Sequence, residues 1–103
     1  MSRVQHIGIK GDGHLLAEVV METLPDLVDA HLQVEAAQLP PGALSRLVDA
    51  VLEIPNVHPG THLEITFPTG VAEVLEQFRN RCPDVTTRCA GSRCRLHATF
   101  PSN

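Results

Sequence analysis

Residues 32–67, LQVEAAQLPPGALSRLVDAVLEIPNVHPGTHLEITF, decide the fold of this chain. Apolar residues alternate with polar ones at both ends of the segment: Leu32, Val34 and Ala36 at its start, and Leu63, Ile65 and Phe67 at its end. A period of two is typical of a strand with one buried face. Pro40-Pro41 stops the first strand, because proline donates no ladder hydrogen bond, and Pro41 suits the first position of a helix.

The middle of the segment predicts an amphipathic helix. Its apolar residues recur at helical spacing: Leu44, Leu47, Val48, Val51 and Leu52. Together with the flanking strands, this helix forms a strand-helix-strand unit that can bury a two-layer core.

The flanking sequence extends the pattern on both sides. We expect a strand over 3–10 and a helix over 14–24 before the segment, and the two strands of the segment itself extend over 31–38 and 61–67. Thr69 is a plausible N-cap for a third helix that Pro83 closes. Residues 85–89 and 94–100 are typical of a hairpin.

The predicted fold class is α/β (α+β), a two-layer sandwich in the order βαβαβαββ. Right-handed crossovers would place about three helices mainly on one face of a four- or five-stranded sheet. The length of 103 residues indicates a single small domain, residues 1–103.

Composition limits the partners. The net charge of −4 and the scarcity of aromatic residues (three Phe, no Trp or Tyr) disfavour nucleic acid. There is no apolar run of membrane-spanning length and no signal peptide, so we expect a cytoplasmic protein that does not bind a membrane. The odd number of cysteines fits a reducing compartment or a metal site.

Histidines are the unusual feature of the composition, with six in the chain. Strand alternation places several of them, with two carboxylates, on the face opposite the helices: His6, His31, Glu35, His62, Glu64 and His97. These groups titrate near neutral pH or bind metals. A solvated polar face, a metal- or pH-sensitive face and a subunit contact all remain open.

Cysteine spacing supplies a second candidate site. Cys82, Cys89, Cys94 and His97 could complete a Cys3His zinc site. Strand alternation opposes this set, because Cys94 and His97 point to opposite faces of a regular strand. Cys89 and Cys94 flank a four-residue turn, so they are alternatively cross-strand neighbours, either as free thiols or as a disulfide.

Nucleotide and catalytic motifs are absent from the sequence. Gly11-Asp12-Gly13 begins a stretch that fits neither the dinucleotide nor the P-loop pattern, and we interpret it as a turn. None of the hydrolase, zinc-protease or cysteine-nucleophile signatures that we considered occurs, so no catalytic residue is assigned.

The central segment resembles the nickel-incorporation metallochaperones of hydrogenase and urease. The matching residues of the central segment are Pro41, Ala43-Leu44, Gly60 and Leu63-Glu64-Ile65. The opening helix of that family is similar to His14-Leu15-Leu16-Ala17-Glu18. Its zinc ribbon is similar to Cys82-Pro83 and Cys89-Ala90-Gly91. This resemblance implies nickel binding at His14, zinc binding at Cys82, Cys89 and Cys94, and zinc or nickel as the bound metal.

The favoured function is therefore a small, non-enzymatic, metal-handling or maturation accessory protein. A first alternative is a metal-free interaction or oligomeric subunit, which would bind a protein partner or a second copy through the open sheet face. A second alternative is a small enzyme with His and Glu acid-base residues on that face.

Overall fold

The computed structural model of the chain describes residues 3–11, 13–35, 39–54 and 57–101. The described residues form, in chain order, β1 (Arg3–Gly11), β2 (His14–Thr23), β3 (Leu27–Val34), α1 (Ala43–Leu52), β4 (His62–Pro68), α2 (Ala72–Arg81), β5 (Thr86–Ala90) and β6 (Arg93–Thr99). Asp12 of the predicted turn and residues 36–38 of the predicted second strand lie outside the described residues.

The six strands form one mixed sheet in the order β1-β2-β3-β4-β6-β5. β3 and β4 are parallel, with Ala30 opposite Ile65, and the other neighbouring strands are antiparallel. A parallel pair cannot be joined by a tight turn, and here α1 makes the crossover between β3 and β4.

The predicted helix over 14–24 is wrong, because this segment is strand β2. Ala17, Val19 and Met21 are buried on one face, with Glu18 and Val20 between them on the other. The segment fits both periods, and its β-branched residues favour the strand. Gly13 has a φ of 79° in the turn before His14, and an Asp-Gly pair is a hairpin signal.

Both helices pack on one face of the sheet. Sheet and helix side chains meet in a single apolar cluster that includes Val19, Leu32, Ile65, Leu47, Val74 and Phe78. The expected sheet of four or five strands with three helices is therefore wrong. The described residues form a six-stranded, mainly-sheet α+β fold with two helices, and the difference arises from the β1–β2 hairpin.

The predicted amphipathic helix and the strand after it are confirmed as α1 and β4. The predicted strand over 31–38 begins earlier, at Leu27, and ends at Val34. The predicted helix after Pro68 is present as α2, but its N-cap is Val71 rather than Thr69. The Thr69 hydroxyl instead donates to the carbonyl of Gly91 at 3.1 Å.

The predicted C-terminal hairpin is confirmed. β5 and β6 pair with Ala90 opposite Arg93, so Gly91 and Ser92 form the turn. Cys89 and Cys94 face each other across the strands and form a disulfide, which resolves the alternatives left open by their spacing.

Within the described ranges, neither helix is long and apolar enough to cross a membrane.

The assignment of residues 14–23 to a strand predicts unequal effects at two neighbouring positions. Met21→Ala should lower the free energy of unfolding by about 2–5 kcal/mol, because Met21 is fully buried and its removal leaves a cavity. Val20→Ala, on the partly exposed opposite face, should cost about 1 kcal/mol or less. Denaturant unfolding measures both. In the helical arrangement Val20 lies on the apolar stripe and Met21 does not, so the reverse order would contradict the strand.

Candidate functional site

A crevice lies where the parallel strands β3 and β4 end. β3 ends at Val34 and β4 ends at Pro68, and each is followed by a helix. The crevice has a volume of about 760 Å³ and is lined by Val34, Leu39, Pro40, Pro41, Gly42, Ala43, Leu44, Ser45, Pro68, Gly70, Val71, Glu73 and Gln77. Ligands of open α/β sheets bind outside the carboxyl ends of the strands, so this position is the expected one for a ligand.

The start of α1 forms one wall of the crevice. Gly42 adopts a left-handed conformation, with φ 81°, which glycine adopts at little cost. The Ala43 amide donates to Pro40 O at 3.1 Å, whereas the amides of Leu44 and Ser45 have no acceptor among the described residues. The first turn has no acidic residue. The positive end of the helix dipole is therefore free to interact with an anion.

The start of α2 forms the opposite wall. The amide of Val71 donates to Pro68 O at 3.1 Å, which folds the chain into a turn before the helix. Open space surrounds the position that a side chain at Gly70 would occupy. Glu73, in the first turn of α2, is the one charged residue among the described lining residues.

Arg81 connects the two walls. It donates to the Asp49 carboxylate, to Ser45 Oγ at 3.1 Å and to Gln77 Oε1 at 3.2 Å. Ser45 and Gln77 both line the crevice. The guanidinium therefore fixes the separation of α1 and α2 where the crevice lies between them.

The β5–β6 turn supports the loop before α2 from outside. Thr69 donates through its hydroxyl to Gly91 O at 3.1 Å and through its amide to Ser92 O at 2.9 Å. The Cys94 sulfur lies 4.0 Å from the same hydroxyl, and the disulfide to Cys89 closes the turn. The loop before α2, which borders the crevice, is thus held by a hairpin that a disulfide closes.

The predicted histidine face lies on the other side of the sheet. His6, His31, His62 and His97 are exposed, as is Glu35, and Glu64 is partly exposed. Three of the histidines each contact a different carboxylate: His6 with Glu18 at 3.0 Å, His31 with Asp29 at 3.6 Å and His97 with Glu64 at 3.9 Å. Each of these three rings thus has its own carboxylate partner. A functional role for this face stays a prediction.

The predicted metal residues do not form one metal-binding group among the described residues. His14 lies opposite Gly11 at the β1–β2 turn. Cys82 is buried at the end of α2, while Cys89 and Cys94 are joined to each other. No group of three or more candidate ligands occurs in the described parts of the chain.

Cys82 is the unpaired cysteine. Burial raises the pKa of its thiol, and the neighbouring Arg81 lowers that pKa by a smaller amount. Since only the thiolate binds metals and attacks electrophiles, burial disfavours the reactive form of Cys82.

Sequence comparison finds no relative, since neither a protein-family model nor a curated protein matches the chain. Its fold is similar to that of the acetyltransferase of the GNAT family from Streptococcus pneumoniae, with a TM-score of 0.65 and 11% identity over 96% of this chain and 67% of that one. A putative acetyltransferase from Sphaerobacter thermophilus DSM 20745 gives a TM-score of 0.59 and 10% identity over 95% of this chain and 64% of that one. The likeness establishes the fold, and the chain spans about two thirds of the length of these structures.

These findings overturn the resemblance to nickel-incorporation metallochaperones. The matching residues Pro41, Gly60 and Leu63-Glu64-Ile65 mark a helix start, a turn and an alternating strand, which any strand-helix-strand unit requires. The prediction of a metal-handling accessory function is wrong, because the fold is similar to that of acetyltransferases. The predicted zinc and nickel ligands form no group of three or more among the described residues, and a bound metal as such stays a prediction.

The crevice residues were missed by the sequence analysis, although a signal was present. The glycine-containing stretch that was compared with nucleotide-binding loops lies between two antiparallel strands, β1 and β2. The informative motif is Pro40-Pro41-Gly42, because it links a strand to a helix in a parallel crossover. The topology places Ser45, Glu73 and Gln77 in the crevice, and no local sequence pattern identifies them.

The disulfide predicts a specific loss of stability. Cys89→Ser should lower the free energy of unfolding by about 2 kcal/mol, since the bond closes a short loop with a sequence separation of 5. Denaturant unfolding with and without reductant measures the effect. Reduction of the natural chain should cause the same loss, and Cys89→Ser should be insensitive to reductant. A natural chain that is equally stable in both conditions would contradict this role.

Proposed function

We propose that the crevice binds acetyl coenzyme A and that the chain transfers the acetyl group to an amine. The proposal rests on one observation: the crevice opens at the carboxyl ends of β3 and β4, between two helix starts, in a fold similar to that of two acetyltransferases. The small-enzyme alternative is thus retained, with its site moved from the outer sheet face to the crevice. The cytoplasmic location and the absence of nucleic-acid and membrane partners stay predictions.

The start of α1 is suited to the phosphate groups of the donor. The amides of Leu44 and Ser45, which have no backbone acceptor among the described residues, can donate to phosphate oxygens. Gly42 leaves room for the approach of these oxygens because it has no side chain. The absence of an acidic residue from this turn avoids repulsion. Backbone amides at a helix start commonly bind phosphate in this way.

Glu73 is suited to the acceptor amine. Its carboxylate lies on the wall opposite α1, in the first turn of α2. A carboxylate there attracts an ammonium group and can accept the proton that the amine must lose. The amine nitrogen then bonds to the thioester carbonyl carbon, the carbon–sulfur bond breaks, and the sulfur leaves as the thiol of coenzyme A after it takes up a proton.

A charge test at the start of α1 checks donor binding. Pro41→Glu and Pro41→Gln remove the same exposed, crevice-lining proline, but only the first adds a negative charge. The Glu variant should bind coenzyme A about five- to tenfold more weakly than the Gln variant, a difference of about 1–1.4 kcal/mol, as measured by calorimetry at low salt.

Pantetheine provides the control, because it lacks the phosphates and should not distinguish the two variants. Equal coenzyme A affinities in the two variants, or no affinity in the natural chain, would contradict the proposed donor site.

The catalytic role of Glu73 is tested separately. Glu73→Gln should slow acetyl transfer roughly 100-fold, the lower end of general-base effects, without changing the affinity for coenzyme A. Release of the coenzyme A thiol, followed with a panel of primary amines, measures the rate. Glu76→Gln is the matched control, since Glu76 is exposed on the same helix but does not line the crevice. Equal rates in the two variants would remove Glu73 from the mechanism.

A further inference from the structure

The two edges of the sheet are unequal. β5, at one edge, has five residues, carries the exposed Arg88 and is tied to β6 by the disulfide. β1, at the other edge, has nine residues and no proline. It carries the exposed Arg3 and Lys10, and its register with β2 shifts between Ile9 and Lys10. Short edge strands resist pairing with other chains, whereas long ones invite it. The outer side of β1 has no strand partner among the described residues, so its alternate backbone N–H and C=O groups are available for hydrogen bonding.

Apolar side chains are also incompletely covered at this edge. Val4 is 56% exposed and is the single exposed large hydrophobic residue among those described. Ile7 and Ile9, on the other face of β1, are partly buried and pack against the core. Both faces of β1 therefore retain apolar surface that a neighbouring strand would cover.

The sequence of β1 is complementary to itself. In an antiparallel pair of two β1 strands with the two-fold axis at Ile7, the midpoint of Arg3–Gly11, Ile7 lies opposite its own copy and His6 lies opposite Gly8. Val4 lies opposite Lys10, whose aliphatic stem can cover it. Neither Arg3 nor Lys10 faces a like charge, because Arg3 lies opposite Gly11.

We propose that the occupant of this edge is a second copy of the chain, paired antiparallel through β1 in that register. The result is a continuous twelve-stranded sheet whose four helices lie on the same face, since a two-fold axis perpendicular to the sheet keeps both helical layers on one side. The contact is isologous, the commonest arrangement in protein dimers. It is independent of the proposed acetyl transfer, because the crevice lies at β3 and β4 and stays open.

The exposed position of Val4 allows a test that does not disturb the core. In the dimer, position 4 of each copy lies opposite Lys10 of the other copy. Val4→Lys therefore places a lysine opposite Lys10 at both contacts, and Val4→Glu places a carboxylate opposite Lys10 at both contacts. Like charges across the strands destabilise the dimer in the first variant, and opposite charges stabilise it in the second. We expect a dimer in the natural chain, a dissociation constant raised about three- to tenfold by Val4→Lys, and one lowered by Val4→Glu. Sedimentation equilibrium over a concentration series at low salt measures all three.

The register has its own test. Adding Lys10→Glu to Val4→Lys restores opposite charges across the contact and should return the dissociation constant to the natural value or below it. Amide hydrogen exchange in β1 should also slow as the protein concentration rises. A natural chain that stays monomeric, a dimer that is equally affected by Val4→Lys and Val4→Glu, or a double variant that remains as weak as Val4→Lys would overturn the proposal.

Discussion

The parallel register of β3 and β4 is the constraint on which the rest of the structure depends. Strands that run in the same direction cannot be joined by a hairpin, so the chain must cross the sheet, and α1 makes that crossing. The next helix, α2, leaves from the same end of the sheet, and both helices share one apolar cluster with the strands. One pairing thereby decides where the core lies and which face of the sheet stays open.

The same pairing creates the candidate active site. Because both parallel strands end on one side, the two helix starts lie beside each other, with Ser45 on one wall and Glu73 on the other. Arg81 bonds to both helices, and Thr69 joins the second wall to the β5–β6 turn. The site thus combines an uncapped helix start, which attracts anions, with a carboxylate, which attracts cations. The proposed donor, with its phosphate groups, and the proposed acceptor amine require this combination.

The spacing of apolar residues along the sequence predicted those parts of the fold where it fits only one period, that of a helix or that of a strand. The apolar stripe of α1, the alternation of β4 and the hairpin around Gly91 each permit a single period. The segment from His14 to Thr23 carries two periods at once, and only its pairing with β1 and β3 selects the strand. The crevice could not be predicted, because Ser45, Glu73 and Gln77 come together through the crossover rather than through spacing along the chain. The metal residues were proposed from cysteine spacing and from a family resemblance, and they form no group of three or more ligands among the described residues.

Cross-strand nuclear Overhauser effects in the native chain test the parallel register most directly. The structure predicts backbone contacts that connect Val28 with Leu63 and Ala30 with Ile65, so that both partners advance together along the chain. Contacts that instead connect Val28 with Ile65 and Ala30 with Leu63 would reverse the direction of one strand. That result would remove the crossover, the shared helical face and the crevice together.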